Sequence, residues 1–441
     1  MRVKQALCFL LAAGCLLGIS AGCAGQPIMP SQFSSPANGA RTVVLDVMLN
    51  SPELTEQYRA LADSYLAVSG IVSLRLDIRQ NDYPQVLKTK LNAGDAPDIF
   101  LTGAYKDNDI YESYVYHLTN EPFIKELDPQ LLNNVTVNGN ITGCPFLVQS
   151  HSFIYNKRLF RLAGITEPPE TLKEYREACE ALAHKGFTPF STGFADWWVL
   201  PQIFYPSASD VNGGDYEGLY QSLKDGLATP EQLPEFAFAL DVIDLVRQYG
   251  GESPMTSDFD AQCKEFADET AAIIHQGIWA EKTILKHNPR IELGYLLSPR
   301  LDGKGVIAVD SNLVFRVSKS SAELEEALGF LTWLYTSKVG REWFSGQVRQ
   351  LSPFREGEAA DTPLGSETQK AMREGAAAPW WIFDAPAEIE HSLGQLLQSY
   401  AAGLTARPEV FARMEQLFSA RDNPANFGVS PPDIIKEDPQ G

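Results

Sequence analysis

Residues 154–198 read IYNKRLFRLAGITEPPETLKEYREACEALAHKGFTPFSTGFADWW, and their local signals agree with one another. Residues 152–155 are short, apolar and partly aromatic, as a buried strand requires. Asn156 can cap a helix, and Leu159, Phe160 and Ala163 place apolar groups at helical spacing behind it. Gly164 stands where that helix should end, because glycine enters a left-handed turn without strain. Pro168 and Pro169 stiffen the connection. Thr171 and Glu174 then have the spacing of a capping box, in which each side chain satisfies a free amide of the other. The second helix carries Tyr175, Ala178, Cys179 and Leu182 on one face and stops at Lys185-Gly186. Pro189 and the Trp197-Trp198 pair follow in a loop rich in Gly and Phe.

The same alternation extends in both directions. Residues 42–48 (TVVLDVM) read as a buried strand, 53–67 as a helix and 72–78 as a second strand, the start of an α/β lobe. Residues 82–93 read as a helix closed by Gly94. In the run Gly94-Asp95-Ala96-Pro97-Asp98-Ile99-Phe100, Pro97 forces an extended entry and Asp98 can tie down amides at the start of a strand. The Asp128-Pro129 turn precedes Leu131-Leu132. Downstream, 230–249 reads as one long helix, and 266–279 (FADETAAIIHQGIW) as an apolar helix ending at Gly277 and Trp279. Residues 306–317 read as a strand, 320–337 as an amphipathic helix and 388–402 as another helix. There is no internal repeat.

These stretches together resemble the family 1 extracellular solute-binding proteins, the sugar-binding receptors of bacterial ABC importers of the maltose-binding type. In that family a strand ending in Tyr-Asn-Lys leads to a helix with Leu-Phe and Ala-Gly. A Pro-Pro-x-Thr turn, a second helix, Gly-x-Thr-Pro and an aromatic loop follow. Tyr155, Asn156, Lys157, Phe160, Ala163, Gly164, Pro169, Thr171, Gly186, Thr188 and Pro189 fit. So do the Gly-x-Ala-Pro-Asp run at 94–98 and the Pro-x-x-Asp-Gly turn at 299–303. Phe266, Ala271, Ala272, Gly277 and Trp279 match a further motif, with Glu269 in place of Gly and Ile273 in place of Met. Asp310-Ser311-Asn312 stands where the family often has Gly-Gly. The resemblance covers about 43–418.

The resemblance implies an α/β protein with the two-lobed, periplasmic-binding-protein-like fold of type II. Each lobe would be a mixed sheet flanked by helices, with the ligand cleft between them. Lobe one would comprise 41–143 and 310–360, and lobe two 144–309 and 361–430. The loop 102–105, with Tyr105, and the strand near Gln149 would border a sugar groove. The function implied is capture of a carbohydrate, an oligosaccharide, by hinge closure and delivery to permease subunits.

A sugar offers apolar C–H faces and a rim of hydroxyls, so its site needs flat aromatics and a few polar groups. Five of the seven tryptophans, Trp197, Trp198, Trp279, Trp380 and Trp381, stand in predicted loops or at helix edges. Core packing competes for each singly, but the set favours a cleft. Polar candidates are Asn50, Gln149, Asp310 and Asn312, all of residue types that also form turns. No catalytic residues, cofactor or metal are expected. His117, His151, His184, His275, His287 and His391 lack metal-ligand spacing. No nucleophile elbow or phosphate loop appears. Asp258, Asp260 and Glu269 loosely suggest a calcium loop, but Cys263 occupies the position that needs Gly, so a helix start is read there. Carboxylates abound, which leaves a secreted glycoside hydrolase as the alternative. A sugar-sensing receptor for a membrane kinase is a third reading.

At 441 residues the chain exceeds one ordinary core. A formal charge of −20, from 36 basic and 56 acidic residues, argues against nucleic acid as a partner. Residues 1–22 read as a targeting segment: Arg2 and Lys4, then an apolar run too short to span a bilayer. Ser20-Ala21-Gly22-Cys23 resembles a bacterial lipoprotein cleavage site, with Ser20 where Leu is usual. Cys23 would become a lipid anchor holding a monomer to the outer face of the cell membrane, plain secretion being the alternative. Residues 23–40 read as a flexible tether and 431–441 as a disordered tail. Cys144, Cys179 and Cys263 remain, an odd trio that reads as buried thiols, with one disulfide left open.

Overall fold

Asn156 both ends a strand and starts a helix. Its Oδ1 accepts from the amides of Arg158 at 2.9 Å and Leu159 at 3.1 Å, closing the first turn of the helix Lys157–Ala163. Gly164 terminates that helix at φ 81°. In the next helix, Leu172–His184, Thr171 Oγ1 accepts from Glu174 N at 3.3 Å and Glu174 Oε2 accepts from Thr171 N at 3.0 Å. Each cap contributes about 1 kcal/mol.

The computed structural model describes residues 41–79, 82–104, 106–251, 254–348, 351–355, 362–380 and 387–419. The leader with Cys23, the tether, Tyr105, Trp381 and the tail lie outside these residues. The strands are, in chain order, β1 (Val43–Leu49), β2 (Val72–Ile78), β3 (Ile99–Thr102), the short pair β4 (Thr136–Val137) and β5 (Asn140–Ile141), β6 (Cys144–Asn156), β7 (Thr188–Ser191), β8 (Ala271–Gly277), β9 (Leu293–Leu296), β10 (Ile307–Val317) and β11 (Ala377–Ala378). One mixed sheet runs β2-β1-β3-β10-β6-β8-β7, with β9 paired to β6 and β11 to β10. β1 to β3 are mutually parallel, as are β7 and β8, and β6 and β10 lie antiparallel between the two sets.

Three large apolar clusters pack against this sheet, beside a small one of Ala104, Val135 and Val314. One gathers Leu45, Leu87, Phe100, Phe146, Phe315, Phe330 and Trp343. Another gathers Phe153, Tyr175, Phe190, Phe204, Ile243, Leu397 and Met414. The third, with Val148, Ile154, Ile274, Ile307 and Leu364, includes further residues of β6, β8 and β10. β6 therefore feeds all three, and β10 links the first to the third. Asp98 Oδ2 accepts from Asp46 N at 2.8 Å and its Oδ1 from Ser321 Oγ at 2.5 Å, so it fastens β3 to β1 and to the approach of the helix Leu324–Thr336.

Two expectations from periodicity need correction. Residues 266–279 are not a helix. Phe266 lies in the last turn of the helix Phe259–Ala267, Glu269 turns the chain at φ 60°, and Ala271–Gly277 is β8, buried on both faces. A doubly buried strand is apolar throughout, so its pattern mimics a buried helix. The helix expected over 230–249 is divided: Pro230–Gln232 is a short 3-10 turn, and the α-helix is Pro234–Tyr249. Pro234 suits a first helical turn and does not continue one. Cys144, Cys179 and Cys263 are free, buried thiols, which closes the disulfide alternative.

Candidate ligand site

β7 and β8 are parallel, and the chain leaves both at the same edge of the sheet. The carboxyl ends of parallel strands are where open α/β sheets hold ligands. Trp198 follows β7 and precedes the helix Val199–Ser207, Trp279 opens the helix Trp279–His287 after β8, and Trp380 follows β11. These three indoles meet. Trp198 and Trp279 are 6.4 Å apart between centroids at 69°, and Trp279 and Trp380 are 5.7 Å apart at 63°. Such edge-to-face contacts add about 1 kcal/mol beyond burial.

Gly277 is what lets Trp279 lie down. A Cβ at 277 would stand 2.1 Å from an indole carbon, so any side chain there displaces the ring. Trp279 and Trp198 are partly exposed, whereas Trp380 is 8% exposed. Beneath them sits His151 on β6, 5.2 Å from Trp380 and 6.3 Å from Trp279. His275 on β8 lies 5.6 Å from His151 and 4.7 Å edge-on to Phe153. Both imidazoles are buried, and no ring nitrogen of either has a hydrogen-bond partner among the described residues. Burial, then the neighbouring His275, pushes His151 well below the usual imidazole value. Burial takes His275 down to about 3, offset slightly by its own backbone at a geometry too poor for a hydrogen bond. At neutral pH both rings are uncharged, His151 lying directly against Trp279 and Trp380 and His275 backing His151.

The remaining predicted residues fall in several places. Gln149 and Asp310 face each other as register partners on β6 and β10, beside this cluster. Asp310 is 1% exposed and its carboxylate is engaged: Oδ1 accepts from Asn134 Nδ2 at 2.5 Å and Ser311 N at 2.7 Å, and Oδ2 from Trp380 N at 3.4 Å. Asn312 lies on the same strand. Trp197 turns away from the other indoles, against the helix Ala387–Ala401: its ring is 4.9 Å from His391, and a Cβ on Gly394 would stand 2.6 Å from it. Asn50 sits past the end of β1, where Ser51 Oγ donates to it at 3.3 Å.

On the other side, the loop after β3 is fixed by one buried cation. Arg316 is fully buried on β10 and donates to Thr102 Oγ1 (2.6 Å), Gly103 O (3.1 Å), Asn108 Oδ1 (2.7 Å), Thr142 O (3.1 Å) and Thr142 Oγ1 (2.7 Å). Burial brings its guanidinium down to about 10. Every one of these acceptors is neutral, and the nearby Asp107 carboxylate partly offsets the effect of burial on the guanidinium.

A recess of about 590 Å³ lies elsewhere, lined by Asp210, Tyr216, Glu235, Arg300 and Asp302 among others, and by none of the indoles. Asp258 caps the helix Phe259–Ala267 by accepting from Ala261 N at 2.9 Å, while Glu269 pairs with Arg158 and accepts from Asn156. Two of the three acids of the loose calcium pattern, Asp258 and Glu269, thus serve backbone and ion-pair roles. Among the described residues no group of three or more His, Cys, Asp or Glu is arranged to hold a metal.

Reading by residue type missed the support under the indoles. His151, His275, Gln262 and Gln276 lie within it, and the signal available was a His-Gln pair inside an otherwise apolar strand, Ala271–Gly277.

Comparison with known proteins agrees with this architecture. The chain is 23% identical over 304 residues to the multiple sugar-binding protein of Streptococcus mutans, covering 66% of this chain and 71% of that one. It is 20% identical over 335 residues to the melibiose/raffinose/stachyose-binding protein MelE of Bacillus subtilis, covering 74% and 76%. In fold it is similar to the apo form of RafE from Streptococcus pneumoniae, with TM-score 0.74 and 18% identity over 88% of this chain and 99% of that one. A family model described as bacterial extracellular solute-binding protein matches residues 60–373, most of the chain, and the chain belongs to that family.

Proposed function

We propose that this protein captures a carbohydrate, an oligosaccharide, and hands it to the permease subunits of an ABC importer. The observation that carries the reading is the continuous run of Trp198, Trp279 and Trp380 at the carboxyl edge of the sheet. Trp198 and Trp279 are partly exposed and stand at a steep angle to each other, so their apolar surfaces suit the C–H face and edge of a sugar, and Gln149 and Asn50 are candidates for the hydroxyl rim. Two relatives named for sugars add support. Residues 41–143 and 310–360 act as one lobe and 144–309 and 361–430 as the other, with β6 and β10 as the joint about which the lobes close. Capture and release then follow from a population shift between open and closed forms, with no bond made or broken. Cys23 carries a lipid that holds the receptor at the cell membrane; across the described residues no helix is long and apolar enough to cross one.

Isothermal calorimetry of the full chain against raffinose, stachyose and linear gluco-oligosaccharides tests this. We expect saturable binding to at least one sugar, lost in Trp279→Ala. Silence toward every sugar, with tight binding of a peptide or an inorganic ion, refutes the ligand class. Release of product from an incubated oligosaccharide would instead favour the hydrolase.

A further inference from the structure

The indole of Trp279 is held from behind by side-chain amides. Trp279 Nε1 donates to Gln276 Oε1 at 3.0 Å. Gln276 Nε2 donates to Gln262 Oε1 at 2.7 Å, and Gln262 Nε2 donates to the carbonyl oxygen of Ser191 at 2.9 Å. The polarity of this chain is fixed at both ends, since an indole nitrogen can only donate and a carbonyl oxygen can only accept. Each amide therefore has one orientation. Gln276, Gln262 and Ser191 are 0%, 1% and 1% exposed, so water does not compete for these bonds. The space around Gln262 is tight as well: a Cβ on Gly193 would stand 2.6 Å from its Oε1. Gly277 leaves room for one face of the ring. The indole is thus constrained in plane by the hydrogen bond and in tilt by the missing side chain beneath it.

We propose that Gln276 and Gln262 are positioning residues that fix Trp279 with its N–H turned into the protein, so that Trp279 offers a saccharide ring surface and no hydrogen-bond donor. This rests on the carbohydrate reading for its ligand and on geometry alone for the positioning. The consequence is a rule of selectivity. Sugars are discriminated at this wall by the shape of their C–H faces, because the one polar atom of the ring is already committed. Pre-setting the ring also removes an ordering cost at the moment of binding. The relay ties the ring to β7 through Ser191, to the helix Phe259–Ala267 through Gln262 and to β8 through Gln276, so three elements locate one aromatic plate.

The test uses the full chain labelled with nitrogen-15 at the indole nitrogens. The Trp279 signal is identified by its loss in Trp279→Phe. We expect it to exchange slowly with solvent, and in Gln276→Met to move upfield and exchange about tenfold faster or more. Raffinose affinity, by calorimetry, should weaken about fivefold to tenfold in Gln276→Met, the loss of one buried hydrogen bond and of the orientation it sets. In the Trp279→Phe background the same change should cost nothing further, since no indole N–H remains to be held. An unchanged Trp279 signal, or an equal affinity loss in both backgrounds, overturns the proposal. If raffinose does not bind at all, the carbohydrate reading is what suffers, and the indole signal, which needs no sugar, still decides the positioning. Should Gln276→Met fold poorly, Gln262→Met should move the same signal in the same direction by a smaller amount, and no movement counts against the relay.

Discussion

Acidifying the protein from about pH 7.5 to about pH 5 should remove about 2 kcal/mol of stability through His275 alone. In the folded protein this ring is buried and held neutral, with its pKa pushed down to about 3. In the unfolded chain it titrates near 6.5. Below that value the unfolded state binds a proton that the folded state refuses, so stability falls as pH falls, from about 6.5 downward until the folded ring itself protonates near 3. His151, lowered by burial and by His275, adds a loss of the same sign. The aromatic faces around the pair, Phe153, Trp279 and Trp380, carry no charge that could offset an imidazolium. Urea unfolding followed by far-UV circular dichroism at both pH values gives the wild-type difference. The chain is rich in carboxylates that also titrate, so the decisive quantity is the difference between wild type and His275→Leu. Leucine of similar volume is apolar at every pH, and the variant should lose about 2 kcal/mol less on acidification. Equal losses in the two proteins would mean that His275 is protonated or hydrated in the fold, and the account of a dry support beneath the indoles would be wrong.

Three other outcomes follow from the packing. Arg316→Leu should destabilise the fold by about 3–5 kcal/mol in urea titrations, because it strands the buried acceptors of Thr102, Asn108 and Thr142. Gly277→Ala puts a methyl 2.1 Å from the ring of Trp279, so raffinose affinity should fall about tenfold while the melting temperature moves by only a few degrees. A wild-type melting temperature with undiminished affinity would show that the ring does not lie there. Cys144, Cys179 and Cys263 are buried free thiols, with burial pushing Cys144 well up and Cys179 and Cys263 up to about 12, so a disulfide-exchange reagent should label none of them until the chain is unfolded.

What could be read from the sequence was what neighbours in the chain decide. Asn156, Gly164 and the Thr171–Glu174 box declare helix ends within a few residues, and the structure places caps at each. The strands Val43–Leu49 and Val72–Ile78 announce themselves by composition. The stretch at 266–279 was misread because its key constraint is remote. Glu269 takes φ 60° while its carboxylate accepts from Asn156 Nδ2 at 2.9 Å and pairs with Arg158, more than a hundred positions earlier in the chain. The histidine pair was hidden for a similar reason. His151 and His275 become neighbours only once β6 and β8 pair in the register that sets His151 opposite Gly277 and Phe153 opposite His275. Register is ordinarily marked by apolar alternation, and β6 and β8, buried nearly throughout, carry none. The tryptophans stand out in the sequence because five of the seven fall in predicted loops or at helix edges, and three of those five meet in the structure. That Trp197 packs on the helix Ala387–Ala401 while Trp198 joins the cluster depends on a contact some 200 residues away.

The closure about β6 and β10 proposed above requires a place where the sheet can bend without exposing backbone groups. β6 and β10 cross from one apolar cluster to the next, and their ladder is regular except at residues 311–314, where the register shifts twice. Such irregularities sharpen twist and loosen pairing. Here the gap is covered by a side chain: Ser311 Oγ accepts from Phe146 N at 3.2 Å and donates to Leu313 O at 2.7 Å, and the facing residue Pro145 has no N–H to satisfy. A hydroxyl that swivels can keep both partners over a range of angles, which a backbone amide cannot. Asp310 stands immediately before this irregular stretch and reaches Asn134 on one side and the backbone of Trp380 on the other. The Asp310 carboxylate thus links this irregular stretch to Asn134 and to Trp380 of the indole cluster. In the proposed closure Asp310 and Ser311 supply a pinned acid and a bridging hydroxyl at the place where a pair of glycines would supply conformational freedom alone.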